Sequence, residues 1–410
     1  MMRVTHNMLK NDTVYNLNVH QRNLDQLQNN LSTGKKVRIP SEDPVAAAHS
    51  MLYRTRINEL KTFIDNIEEG EARLKFAEDN LRSIVNIFHR LEELTVQGAH
   101  GTYTREDRIN IAVEIDEHLK EIVQIANSKF KGESIFSGYQ TNINPFEVLK
   151  AKPEFADREM ITKVIYKGDI GKHDREIEQQ EYAPVNLVGN MAFWATNEVI
   201  IGQGDVSNYT STKDQKIRID GKEIQINNTD TINTIMDKIN NADIPVRASL
   251  RDNQIVVETM APHELWMEDI EGGTFLQDIG LKMVNQRPNE FANNVQKVGY
   301  SIFDVIMKIR DDLYQNKTRE LGSDDLGNLQ HGMENLSKNL GEIGARSNRF
   351  STVKKRLNME ELDMTDILAK TENIDVAKTV MDLQMLEYIH KSALAVGARI
   401  IRPTLMDFLR

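Results

Sequence analysis

Apolar side chains recur along both ends of this chain at alternating steps of three and four. Ile57, Leu60, Ile64, Ile67 and Leu74 keep that spacing with the polar Glu71 as one tooth of the comb, and Ala77, Leu81, Ile84, Phe88 and Leu91 resume it after a one-residue slip. Such a comb is a coiled-coil seam interrupted by a stammer. Ala112, Ile115, Leu119, Ile122, Ala126 and Phe130 repeat it beyond a break around Gly98, Gly101 and Thr104, which predicts the second helix of a hairpin spanning 50–130. In the distal part Leu336, Leu340, Ile343, Phe350, Leu357 and Met364 follow the same rule, and so do Val376, Val380, Leu383, Leu386, Ile389, Ala393, Val396 and Ile400. The prolines agree with this reading. Pro40, Pro44 and Pro403 lie near the ends and the other six fall from Pro145 to Pro288, leaving 45–144 and 289–402 free of a residue that costs about 3 kcal/mol inside a helix.

Residues 5–31 carry a narrow stripe of Val14, Leu17, Leu24, Leu27 and Leu31 among polar neighbours. A sharp bend follows over 31–48, where Gly34 ends one helix, Pro40 and Pro44 restrict the backbone, and Ser41 or Asp43 caps the next helix. The text changes at 131–147, where glycine, asparagine and Pro145 replace the helical rhythm. From there to about residue 292 short alternating runs favour strands. The clearest is 216–226, two alternating runs divided by Asp220-Gly221, a hairpin signature. Asp230 or Thr231 caps a short helix bearing Ile232, Ile235, Met236 and Ile239, and strands at 246–250 and 255–259 flank a turn at Asp252-Asn253. The order β-β-α-β-β over 216–260 predicts a small unit with its helix laid on a sheet.

The predicted fold class is therefore mainly α with an inserted α+β domain, the helices forming an elongated antiparallel coiled-coil or helical bundle from both chain ends. Residues 1–45 and 372–410 are assigned to terminal coiled-coil assembly segments, 46–145 and 293–371 to a helical rod, and 146–292 to an inserted, β-rich outer domain. A helix of about 45 residues is about 65–70 Å long, longer than a compact domain requires. The outermost stripes are thin enough that one pair of them buries little alone, so they are expected to order by packing with neighbouring subunits. Val14, Leu17, Leu24, Leu27, Leu31, Val380, Leu383, Leu386, Ile389, Ala393 and Ile400 are the expected packing residues. An ordinary intramolecular coiled coil is the plainer alternative, because periodicity does not name the partner.

Composition narrows the choice. With 28% charged and 6% aromatic residues the chain is poor in the bulky groups of a thick core, which suits thin bundles. A net charge of -11 with no long basic run argues against nucleic acid as a partner. The absence of cysteine removes disulfides, thiolate nucleophiles and cysteine-based zinc sites. Nothing resembles a secretory leader or the ~20 apolar residues that cross a bilayer, so no membrane insertion is expected.

Candidate chemistry is sparse. No pair among the ten histidines stands at HExxH spacing, and His20, His49, His89 and His118 lie in helical text, where a solvated or interface histidine is usual. Residues 202–207 only loosely match a dinucleotide loop, because Ser207 stands where the third glycine belongs, and read as a turn. Asp311-Asp312, Asp324-Asp325 and Glu360-Glu361 are adjacent on helices and point apart, so they read as solvated faces. Methionines read as gap-fillers, with Met364, Met381 and Met385 near the terminal bend set aside as exceptions. No catalytic, cofactor or metal site is expected.

Four stretches carry a resemblance: the opening from Met2 to Leu9, the bend 31–48 with Leu31, Ser32, Gly34, Pro40, Asp43 and Pro44, the segment from Ala126 with Gly132, Phe136 and Gly138, and the distal run from Ile343 with Arg346 and Arg349, followed by Asp375, Ala377 and the closing 405–410. In order and spacing they resemble the bacterial flagellin family and, within it, the hook-associated protein 3 type; the usual Met-Arg opening of that family falls at Met2. Residues 164–177 are similar to a segment of the junction type, and 216–260 resemble a small repeat inserted in such proteins. The resemblance implies a non-enzymatic structural subunit exported by the flagellar type III route, extracellular or periplasmic with the flagellum. It implies a ring of identical chains, a neighbouring hook-associated protein, flagellin or a second junction protein beyond it, and an export chaperone. A minor filament flagellin is the alternative within that class, and a surface- or carbohydrate-binding middle domain the alternative outside it.

Overall fold

The computed structural model describes residues 6–400 apart from residue 285. Helix α1 (His6–Thr33) stops at Gly34, whose φ of 70° is the left-handed conformation that ends helices. Helix α2 (Pro44–Ala99) opens with proline, which needs no amide partner there, and with Asp43 accepting from the Val45 and Ala46 amides at 3.1 and 2.9 Å. Helix α3 (Arg105–Ala126) begins at a reciprocal capping box of Thr104 and Asp107. It stops short of Phe130, which lies instead in β1 (Lys129–Phe130), joined to β2 (Glu133–Ser134) through Lys131 and Gly132 at φ 51° and 89°. The apolar spacing outlasts the helix because the Phe130 ring still packs on Phe76, 5.5 Å between centroids.

Antiparallel strands follow: β3 (Phe146–Ala151) with β4 (Met160–Tyr166), and β5 (Asp174–Glu178) with β6 (Glu181–Pro184). After the short α4 (Gly189–Ala192) come β7 (Val199–Ile201), β8 (Gln215–Ile219), β9 (Lys222–Ile226), α5 (Ile232–Asn240), β10 (Val246–Arg251), β11 (Gln254–Thr259), β12 (Met267–Ile270), α6 (Phe275–Asp278) and β13 (Gln296–Val298). The turns are the expected ones: Asp220-Gly221 at φ 46° and 83°, and Asp252-Asn253 at 51° and 64°, positive φ at both central positions as a tight hairpin needs. Thr231 caps α5. The four strands do not share one sheet, however. β12 joins β8 and β9 in a three-stranded sheet, while β10 and β11 join β7 and β13 in a four-stranded one. The apolar face of α5, Ile232, Ile235, Met236 and Ile239, is buried in the core that these sheets share.

The chain returns through α7 (Ile302–Tyr314), α8 (Thr318–Glu320), a π-turn (Leu321–Asp325), α9 (Leu326–Glu372) and α10 (Val376–Ile400). Two compact units result, Asn66–Val353 and the described parts of Met1–Asp65 with Lys354–Arg410. In the first, Leu74, Leu81, Ile84 and Phe88 of α2, Ile115, Leu119 and Ile122 of α3, Ile306 and Ile309 of α7, and Leu336, Ile343 and Phe350 of α9 are all buried. Gly98 is required by close approach, since a Cβ there would lie 2.4 Å from a methyl of Leu313. In the second unit Ile57, Leu60 and Ile64 of α2 and Leu357 of α9 are buried beside the Arg56–Glu360 ion pair at 2.7 Å.

Among the adjacent carboxylates, Asp312 and Asp325 are not on a solvated face: both are buried and share the Lys308 ammonium. Lys308 stands one turn before Asp312 on α7, but it reaches Asp325 from a different element, which spacing along one helix does not show. Beside them Arg310 and Asp116 are wholly buried and paired at 2.8 Å, with the same guanidinium donating to the Ile161 carbonyl of β4 at 2.9 Å and to Asp311. That clamp ties α3, α7 and β4 together.

Candidate assembly surface

Two bends place the terminal helices side by side. At the first, Gly34 turns the chain out of α1; at the second, Asp375 begins α10, its carboxylate accepting from the Lys378 amide at 3.1 Å. The bends are joined by backbone, Lys36 N donating to Glu372 O at 2.6 Å and Ile374 N to Gly34 O at 3.1 Å. Arg54 grips the Glu372 carboxylate with two hydrogen bonds, and Lys35 lies 3.1 Å from it. Further out, α1 packs along α10, where Gly397 lets Thr13 and Leu17 come close.

The expected packing residues divide by face. Leu24 is buried, and Leu17, Leu27, Val380, Leu383, Leu386, Ile389 and Ala393 are half-buried, while Val14 and Leu31 are exposed. The side chain of Ile400 lies outside the described residues. Another set of apolar side chains stands in solvent: Met8, Leu9 and Tyr15 on α1, and Val376, Met381, Met385, Tyr388, Leu394 and Val396 on α10, of which Val376 and Val396 belong to the three-four stripe. Tyr388 is 74% exposed and Met385 65%. Val376 and Val396 of the stripe, and the methionines Met381 and Met385 set apart from it, were its signals in the sequence. Between the two helices a groove of about 430 Å3 is lined by Asn23, Gln26, Leu27, Asn30, Asp382, Met385, Leu386 and Ile389. Leucine, isoleucine and methionine side chains line it together with amides and the Asp382 carboxylate, a mixture that suits a side chain from another helix.

The motif residues of the first bend, Pro40 and Pro44 with Asp43, shape the entry to α2. Gly132 and Gly138 have φ of 89° and 71°, and a Cβ on Gly138 would meet Asp169 Oδ1 at 2.0 Å. Phe136 is buried edge-on against Phe193, 4.9 Å between centroids. Arg346 donates to the Asn186 carbonyl at 3.2 Å, and Arg349 pairs with Glu181, so both tie α9 to the strand region. Ala377 is exposed in the first turn of α10.

Elsewhere, within Asn66–Val353, a cleft of about 770 Å3 includes Tyr139, Arg218, Asp220, His263, Trp266 and Glu268. Four of the charged groups lining it are paired, Arg218 with Glu268 at 2.8 Å and Asp220 with His263 at 2.8 Å. Lys297 bridges the buried Glu198 at 2.6 Å and Glu264 at 3.5 Å; burial pushes the Glu264 carboxyl up to about 7, against the pull of Lys297. Among the described residues no group of three or more His, Asp or Glu is placed to hold a metal ion, and no helix is long and apolar enough to cross a membrane.

Residues 4–141 match the family described as the bacterial flagellin N-terminal helical region. Over 141 residues the chain is 32% identical to the flagellar filament 30.7 kDa core protein of Treponema maltophilum, covering 33% of this chain and 48% of that protein. Over 147 residues it is 24% identical to flagellar hook-associated protein 3 of Salmonella typhimurium, covering 36% and 46%. The chain thus spans about half the length of the curated relatives it matches. Among solved structures it is similar to the flagellar hook-associated protein 3 of Legionella pneumophila, with TM-score 0.47, 18% identity, and 78% of this chain and 97% of that one covered. It is also similar to the FlgL protein of Xanthomonas campestris, with TM-score 0.45, 15% identity, and 76% and 98% covered. The match to the bacterial flagellin N-terminal helical region takes in α1, α2 and α3.

Proposed function

We propose that this chain is a structural subunit of the bacterial flagellum that joins hook to filament, without enzymatic activity. Its ends pair as an elongated antiparallel coiled coil and pack against copies of the same chain in a ring. A neighbouring hook-associated protein lies on one side of that ring and flagellin or a second junction protein on the other. The observation that carries this reading is the row of large apolar side chains left in solvent on α1 and α10, Tyr15, Met381, Met385, Tyr388 and Val396 among them. Exposed apolar rows of this kind mark interaction surfaces, and each Å2 they bury contributes about 25 cal/mol. In this reading 1–45 and 372–410 are the assembly segments, 46–145 and 293–371 the rod, and 146–292 an outward-facing domain. Delivery outside the cell or into the periplasm, with an export chaperone holding the ends, belongs to the same proposal.

The similarity of 164–177 to a segment of the junction type, with the resemblance of 216–260 to a small repeat inserted in flagellins and hook-associated proteins, supports the hook–filament boundary over the filament itself. Labelled antibody on isolated hook–basal bodies tests this. One band at the hook tip is expected; label along the filament would make the chain a minor flagellin.

A further inference from the structure

Three charged groups meet where the strands from β7 to β13 touch α4 and β4. Glu198, just before β7, is wholly buried, and Glu264, between β11 and β12, is 6% exposed. The Nζ of Lys297 on β13 lies 2.6 Å from Glu198 Oε1 and 3.5 Å from Glu264 Oε1. Two buried carboxyls share one ammonium, so the trio is neutral only when one carboxyl keeps a proton, and a buried net charge is costly. Glu198 is the better held as an anion, because its Oε2 also accepts from Leu265 N at 2.6 Å. The proton therefore falls to Glu264, whose carboxyl is pushed up to about 7 by burial, with the Glu198 charge adding to that push against the pull of Lys297. Glu264 also fastens its segment to the elements beside it. Its N donates to the Asn190 carbonyl of α4 at 3.2 Å, and its carbonyl accepts from Asn190 Nδ2 at 3.4 Å. Its Oε2 accepts from Asn289 Nδ2 at 3.0 Å, and the same amide donates to the Tyr166 carbonyl of β4 at 3.3 Å. A cavity of about 440 Å3 adjoins these contacts, lined by Glu264, Asn289 and Lys297 together with Lys163, Glu290 and Asp304.

We propose that Glu264 is a proton-controlled clasp: uncharged, it keeps its segment of chain closed on α4 and β4, and on ionising it opens that seam toward the cavity, where water solvates the second carboxylate. With the carboxyl at about 7 in the closed seam and back at its ordinary 4.5 in the open one, opening rises about tenfold per pH unit between those values and levels off above them. Other titrating groups face the seam. His263, next in the chain, is paired with Asp220 at 2.8 Å; burial works against its charge, but Asp220 lifts it above the usual histidine range. The Tyr166 hydroxyl donates to the Phe136 and Asp169 carbonyls, and burial holds it well above the usual tyrosine range, outside the window. Lys163, Glu290 and Asp304 lie across the cavity. Glu264→Gln separates all of these from the clasp, since it removes one ionisation and leaves theirs. The claim concerns the free chain, so its test succeeds or fails apart from the flagellar reading.

Amide exchange on the full-length chain, corrected for the intrinsic pH dependence of exchange, tests the clasp. From pH 5 to pH 8 the protection of the Glu264 and Leu265 amides is expected to fall at least tenfold, and at pH 8 to lie at least tenfold below that of the α7 amides. In Glu264→Gln, which keeps an acceptor for Asn289 but cannot ionise, the fall is expected to shrink to less than twofold. Lys297→Met, which takes away the shared ammonium, is expected to move the fall to higher pH. Unchanged protection at Glu264 and Leu265 in the native chain overturns the clasp, and so does a fall as steep in Glu264→Gln or one that Lys297→Met leaves in place. Equal protection of these amides and of α7 at pH 8 also overturns it, because the seam would then open only when the whole unit unfolds.

Discussion

Arg310 and Asp116 show how much of this molecule rests on single pairs. Removing one partner of a wholly buried ion pair leaves the other charge uncompensated, which costs about 3–5 kcal/mol. Arg310→Met should therefore lower unfolding free energy by about that amount in urea titrations that follow α3 and α7. Gly34 is a milder case. Nothing lies within 4 Å of a Cβ built there, so Gly34→Ala should cost only the left-handed strain, about 1 kcal/mol. Glu264 gives the pH dependence. Its carboxyl titrates near 4.5 ordinarily and at about 7 when folded, so the folded chain holds the extra proton and stability falls as pH rises between those values. Asp325, raised to about 6 chiefly by burial, adds a fall of the same sign in its own lower window. Glu264→Gln should flatten the drop in thermal midpoint from pH 5 to pH 8; an unchanged drop would show that Glu264 is not its source. None of these pairs is legible in sequence, because Arg310 and Asp116 are far apart in the chain and no local spacing couples them.

The helices were the legible elements. Ile57, Leu60, Ile67, Leu74, Leu81, Phe88, Leu336, Ile343, Phe350 and Leu357 are all buried, because a three-four comb records which face of a helix leaves water. Leu336→Ala, wholly buried, should cost about 2–5 kcal/mol by urea titration, while Met381→Asp, 63% exposed, should change stability by less than about 0.5 kcal/mol. The turns at Asp220-Gly221 and Asp252-Asn253 were readable for a like reason: the positive φ they need restricts residue choice. Sheet membership was not readable. β7 and β13 pair with each other, and β12 with β8, across long stretches of chain, and alternation along a strand says which face is buried but not which strand lies beside it. Phe130 marks the boundary problem: its apolar spacing continues past Ala126 while the backbone leaves the helix.

At the scale of the whole molecule, the two compact units treat their apolar residues differently. Asn66–Val353 encloses its long aliphatic and aromatic rows, whereas α1 and α10 use one face on each other and leave a second in water. The stripe of Leu17, Leu24, Leu383 and Leu386 was visible in the sequence; of the second face only Val376, Val396, Met381 and Met385 were, because a single-stripe search passes over Tyr15, Tyr388 and Leu394. The packing role assigned to the chain ends depends on that second face. Incorporation onto isolated hooks of the full-length chain, compared with its Met381→Asp, Tyr388→Asp and Val396→Asp triple variant, tests this most directly. The account predicts at least a tenfold loss of incorporation with the thermal midpoint of the free chain unchanged; equal incorporation by the two chains would contradict it.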